Sequence, residues 1–228
     1  MQTHPITLAL PALFLLAACS SREPHRPPRN ESGESSSSEG RAGSPGIRPS
    51  TPPERPAPPP PRRPAQPPEM RGPIVLIETS RGSVRVQLDE ERAPGTVRNF
   101  LQYAQDGFYE GTIFHRVIDD FMIQGGGFTP DMAQKPTRAP IALEIHRELR
   151  HWDGAIAMAR TSDPNSATAQ FYLCDGPQHR LDDAYAPFGR VIEGMDVVHA
   201  IAGVPTGTRN GMRDVPQEDV LILSVRRE

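Results

Sequence analysis

The sequence predicts a mainly β fold, an antiparallel barrel closed by two helices, confined to the part of the chain after Gly72. Three observations carry this. Short apolar and β-branched runs recur there with turn residues between them. Only two segments have the 3.6-residue periodicity of a helix. The segment before Gly72 lacks the apolar content to build a core: of 27 prolines in 228 residues, the row from Pro49 to Pro68 holds eleven.

Ile74 to Thr79 and the period-two run Val84-Arg85-Val86-Gln87-Leu88, joined by Ser80-Arg81-Gly82-Ser83, read as a hairpin. Pro94 sits where the first turn of a helix tolerates it. Val97, Phe100, Leu101 and Ala104 follow on one face, and Gly107 supplies the stop. Strands are expected at Thr112 to Val117, Phe121 to Gln124, Ala155 to Ala159, Gln170 to Leu173, Pro187 to Val191 and Val220 to Val225. Gly194 to Ile201 has Val197, Val198 and Ile201 on one face and is read as a second helix. Many strands with so few helices argue for a closed antiparallel sheet.

The segment in front divides in two. Residues 6 to 18, ITLALPALFLLAA, are too short to cross a bilayer, which needs roughly 20 apolar residues. They have the length of a signal-peptide core. Leu16-Ala17-Ala18-Cys19 then resembles the lipobox of bacterial lipoproteins. That resemblance implies a signal peptide 1–18 removed before Cys19, and a lipid anchor on the Cys19 thiol. Ser20 after it implies the outer membrane, periplasmic side. Residues 19–72 read as a Ser/Gly- and Pro-rich disordered tether. Twenty residues of polyproline II would hold the domain roughly 60 Å from the anchor. Cys174 has no partner for a disulfide and is read as a structural thiol.

Net charge is −3, and residues through Arg71 hold nine Arg and six Glu, which leaves −6 on the remainder. Neither part has the basic stripe of a nucleic-acid binder. His115, Glu144, His146 and His151 match no metal-ligand spacing, and no metal or cofactor is expected. Gly125-Gly126-Gly127 lacks the Lys-Ser/Thr of a phosphate loop. Asp119-Asp120 and Asp182-Asp183 read as turn residues. Nothing suggests more than a monomer.

The chemistry concentrates in three segments. Phe114-His115-Arg116-Val117-Ile118-Asp119-Asp120-Phe121-Met122-Ile123-Gln124 places an arginine in an apolar strand, beside apolar groups and a glutamine. Alone, such an Arg is one whose stem packs while its head reaches water. Beside Phe121, Met122 and Gln124 it suits a cleft that takes an apolar group and orients it through a polar contact. The others are Ala157-Met158-Ala159-Arg160 leading to Gln170-Phe171-Tyr172, and Leu181-Asp182-Asp183-Ala184-Tyr185-Ala186-Pro187-Phe188-Gly189.

In this order and spacing the three segments resemble the cyclophilin family of peptidyl-prolyl cis-trans isomerases, its secreted bacterial branch most. The likeness runs from about Ile74 to Val225. It implies an eight-stranded antiparallel barrel with two helices, a domain over 73–228, and proline-containing peptides or folding envelope proteins as substrates. It also implies roles. Arg116 matches the catalytic arginine. Phe121, Met122, Phe171 and Leu181 match the pocket for the proline ring. Gln124 orients the arginine and substrate, and Gln170 adds a polar contact. Ala159 and Arg160 match a backbone ledge for the residue before proline. Tyr172 stands where the family usually has Phe, and Tyr185 where many members have His. Arg180 stands in the place of a Trp that helps eukaryotic members bind cyclosporin, so sensitivity to that drug does not follow.

Overall fold

The computed structural model describes residues 67–228. The expected signal peptide, Cys19 and the tether up to residue 66 lie outside the described residues.

Ten strands and two α-helices follow in order: β1 (Ile74–Thr79), β2 (Gly82–Leu88), α1 (Pro94–Gln105), β3 (Thr112–Ile118), β4 (Met122–Phe128), β5 (Ala155–Met158), β6 (Phe171–Cys174), β7 (Pro187–Glu193), α2 (Met195–Ala202), β8 (Thr206–Arg209), β9 (Met212–Pro216) and β10 (Leu221–Arg227). Eight of the strands close an antiparallel barrel in the order β1-β10-β3-β4-β6-β5-β7-β2. This is the fold class the sequence predicts.

Two elements depart from expectation. β8 and β9 form a separate hairpin. Its turn is Asn210-Gly211, both at positive φ (50° and 78°), the conformation that a two-residue hairpin favours. The Asn-Gly signal is in the sequence, but its flanks lack apolar alternation. β4 also continues through Gly125-Gly126-Gly127, where a break is expected. Gly126 sits at φ +79°, and a Cβ there would meet the Phe171 and Tyr109 rings at 2.9 Å. The glycines thus let a strand pass close to the aromatic core.

That core fills the barrel. Phe100 of α1 meets Tyr109, Phe171 and Phe188 with ring centroids 5.2, 5.5 and 5.2 Å away. All four rings are buried, each contributing about 1.5–3 kcal/mol by burial. Cys174 is fully buried, and burial pushes its thiol well above the usual range.

Helix α1 has no side-chain cap of its own, because Ala93 precedes Pro94. Glu144, from the long irregular segment between β4 and β5, does this from a distance. Its carboxylate accepts from the Gly95 and Thr96 N–H groups (3.0 and 2.7 Å) and from the Thr96 hydroxyl (2.7 Å). An anion at the positive end of the helix is favourable. The same bonds pin the irregular segment against α1. Glu144→Ala should therefore cost about 1 kcal/mol of folding free energy, read as a lower urea midpoint at unchanged m-value.

Candidate active site

The site begins with a register shift. Along β3 and β4, Phe114 pairs with Gly125 but Arg116 pairs with Gln124. His115 is the extra residue of a β-bulge, which re-aims the side chains after it. Without it Phe114 and Arg116 would share a face, by the period of two. With it, Phe114 and Val117 both enter the barrel core, and Arg116 turns to the outer face.

Beyond the bulge, pairing sets Arg116 against Gln124, Gln124 against Tyr172, and Tyr172 against Ala157, one row across four strands. Beside this row lies a second, smaller apolar cluster outside the barrel core. It contains Met122, Tyr172, Ala155, Ala157 and Cys174, with Phe121, Ile118, Ala159, Leu181 and Tyr185 packed on it. An apolar patch therefore borders a guanidinium and a carboxamide. Gln124 donates from Nε2 to Gln170 Oε1 at 3.0 Å, which fixes both amides.

Phe171 is not part of this patch. Its ring is fully buried in the barrel, edge-on to Phe100 and Tyr109. Adjacent strand residues face opposite ways, so Tyr172 rather than Phe171 belongs to the pocket. The expectation for Phe171 is corrected accordingly.

Arg160 is also placed differently from a simple ledge. Its guanidinium donates to the carbonyls of Ala184 (2.9 Å) and Thr161 (2.8 Å) and lies over the Tyr185 ring, 4.6 Å from its centroid. It holds the Tyr185 loop. Ala159 gives its N–H to the Gln170 carbonyl at 2.9 Å. Leu181 ends a 3-10 turn, His179–Leu181. From that turn Arg180 covers the Phe121 ring at 4.4 Å, a planar cation over the pocket's rim.

The hairpin β8–β9 adds a residue that sequence reasoning missed. Asp214 places a carboxylate oxygen 3.9 Å from Arg116 Nε. Asp214 sits at φ +62°, a strained backbone for a non-glycine residue. Burial pulls the Arg116 pKa down from its ordinary value and Asp214 opposes it. A guanidinium keeps its proton regardless, so the pair leaves a half-desolvated, permanently charged donor facing the cleft.

The other titratable residues are already engaged or dispersed. Glu144 caps α1, and His151 contacts Asp182. His115 packs on the Phe128 ring, centroids 4.6 Å apart. The carboxylates of Asp119, Asp120 and Asp175 gather within 4.8 Å. Both Asp175 oxygens are occupied, however: one accepts from the Asp120 N–H (2.9 Å), the other contacts His199 Nδ1 (2.6 Å). This ties the β3–β4 turn to the loop after β6. Gln178 reinforces it, donating to the Asp120 carbonyl at 2.9 Å.

The cyclophilin type peptidyl-prolyl cis-trans isomerase model matches residues 74–227. The chain belongs to the cyclophilin family. A peptidyl-prolyl cis-trans isomerase of Streptomyces antibioticus is 52% identical over 160 residues, covering 67% of this chain and 96% of its own. Peptidyl-prolyl cis-trans isomerase B of Escherichia coli is 48% identical over 161 residues, covering 67% and 98%. Among solved structures, a cyclophilin type isomerase of Cryptosporidium parvum, determined in the presence of the dipeptide Ala-Pro, matches with a TM-score of 0.61. That likeness is at 27% identity and covers 68% of this chain and 98% of that one. Residues 74–227 are therefore a cyclophilin domain, a peptidyl-prolyl cis-trans isomerase by class.

Burial holds His115 next to the site at a pKa of about 4. An unfolded histidine takes its proton near 6.5. Between those values the unfolded chain binds the extra proton, so stability from neutral His115 is present above pH ~6.5 and is lost as pH falls toward 4. The loss approaches about 3 kcal/mol. In His115→Asn the unfolding free energy, from urea curves at stepped pH, should fall less steeply over this interval. His151, also lowered by burial, accounts for part of what remains.

Proposed function

We propose that this cyclophilin accelerates rotation about X-Pro bonds in peptides and folding proteins, with Arg116 stabilising the twisted amide. The observation that carries this reading is the row of Arg116 and Gln124 along the edge of the apolar cluster of Phe121, Met122, Tyr172 and Leu181.

Partial double-bond character gives the peptide C–N bond a barrier of ~18–20 kcal/mol. No covalent bond has to break, so neither nucleophile nor proton carrier is required. The enzyme must bind the twisted amide better than the planar one. On twisting, the nitrogen lone pair leaves conjugation and becomes an acceptor. The Arg116 guanidinium offers fixed donors to it and to the substrate carbonyl. Phe121, Met122, Tyr172 and Leu181 hold the proline ring. Gln124, anchored by Gln170, keeps the guanidinium and the peptide in register. Ala159 and Arg160 supply backbone beside the residue before proline. Asp214 restrains the guanidinium on its other side. The Cryptosporidium parvum structure, determined in the presence of the dipeptide Ala-Pro, supports a prolyl peptide as ligand.

A chymotrypsin-coupled assay on an Ala-Pro tetrapeptide tests the role of Arg116. Arg116→Ala should lose about 100-fold or more in kcat/KM, in line with removing a preorganised transition-state donor. Arg116→Lys should remain far below wild type, because an ammonium lacks the planar fork. Asp214→Asn should lose only about 2- to 5-fold, the scale of a partly exposed ion pair. Equal rates in Arg116→Ala and wild type would sink the assignment.

We further propose that the chain belongs to the secreted lipoprotein branch. Cys19 carries a lipid, the tether 19–72 spans from the outer membrane into the periplasm, and the clients are envelope proteins. The apolar run 6–18 followed directly by Leu16-Ala17-Ala18-Cys19 supports this. Labelled palmitate should enter the wild-type chain and not Cys19→Ser. Incorporation in both would place the lipid elsewhere.

A further inference from the structure

His151, Tyr172 and Asp182 meet beneath the pocket. His151 is fully buried just ahead of β5. Its Nδ1 lies 2.9 Å from Asp182 Oδ1, and its backbone N–H donates to the same oxygen at 2.7 Å. Its Nε2 lies 2.9 Å from the Tyr172 hydroxyl, and the planes of the two rings are nearly parallel, 8° apart.

The chemistry of the partners fixes the protons. A carboxylate only accepts, so Nδ1 carries the hydrogen. Nε2 is then bare and accepts from the Tyr172 O–H. The chain of bonds starts at Asp182, the residue after Leu181 in the pocket wall. It ends at Tyr172, in the pocket floor opposite Gln124 and edge-on to Tyr185. Asp182 is itself gripped by Arg150 (2.6 Å) and His179 (3.1 Å). The wall and the floor come from different segments, and His151 contacts both.

We infer that His151 is a positioning residue for the isomerase: Asp182, His151 and Tyr172 form a buried strut that sets the spacing between Leu181 and the pocket floor, and so the affinity for the proline ring. This rests on the pocket described above as the prolyl site. The groups facing the imidazole or its partners are Asp182, Arg150, His179, Tyr172, Tyr185, Cys174 and Arg160. A proton on Nε2 would make both ring nitrogens donors and strand the Tyr172 hydroxyl hydrogen at a buried position.

Steady-state kinetics on the prolyl tetrapeptide, with dipeptide titration by NMR, test the strut. His151→Leu should raise KM and the dipeptide Kd about 5- to 10-fold, the scale of a buried hydrogen-bonding group left unpaired. Its kcat should stay near wild type. His151→Gln, which restores an acceptor toward Tyr172, should recover most of that loss. Tyr172→Phe should also raise KM, and the double variant His151→Leu/Tyr172→Phe should fall short of the product of the two singles, because they break one chain of bonds. Should His151→Leu fail to fold, nitrogen-15 histidine spectra of the wild type decide instead. They should show a bare Nε2 and a slowly exchanging Nδ1–H at pH 7. An Nε2–H tautomer, an unchanged KM in folded His151→Leu, or fully multiplicative singles would overturn the strut while leaving the isomerase reading intact. Wild type that neither binds the dipeptide nor isomerises the peptide would overturn both.

Discussion

The constraint on which the site depends is one extra residue in β3. A guanidinium inside the barrel would be desolvated without recompense, and the fold would not carry it. The bulge at His115 solves this by a change of phase. It allows Phe114 and Val117 to serve the core and sends Arg116 outward, into line with Gln124. The cost falls on His115, whose Nδ1 is buried without a hydrogen-bond partner among the described residues. An unsatisfied bulge residue beside the chemistry is the pattern expected when position matters more than local stability.

Around that arginine the structure builds a shell from parts far apart in the chain. The apolar cluster gives a ring-shaped ligand somewhere to rest, and Gln170 and Asp214 limit where the polar heads can go. Behind the pocket, Asp175, Gln178 and Asp182 tie loops to strands through partly buried, satisfied bonds. Such networks hold geometry well because breaking one bond leaves its partner unpaired at low dielectric. The rigidity needed for selecting a twisted amide thus comes from the loops as much as from the barrel.

The barrel, both helices and most strand positions were legible in the sequence, because period-two and 3.6-residue patterns record directly which face is buried. The arginine, Gln124 and the apolar residues nearest them were legible too, through the order of three motifs. Phe171 was misread because two adjacent aromatics in a strand face opposite sides, and only the register with Gly125 decides which is inside. Asp214, Asp182 and Glu144 act on groups remote in sequence, so no local pattern announces them. The hairpin carrying Asp214 was missed because its strands lack alternation, although its Asn210-Gly211 turn was plain.

Barrel closure has a consequence for how the chain comes to be folded. β1 pairs with β10, joining residues far apart in the chain: Glu78 lies opposite Ser224, 146 positions away, and Val75 opposite Arg227 is farther still. A polypeptide made or exported from its N-terminus presents the β1–β2 hairpin long before its closing strand arrives. Until then the seam is an open edge, able to template pairing with a neighbour. The seam carries its own deterrent: Glu78 and Arg226 pair across it, and Glu228 at its end reaches Arg85 of neighbouring β2, contacts that form only when the proper strands meet. High sequence separation makes such closure slow, and this lining of opposite charges gives the waiting edge a preference for its own final strand.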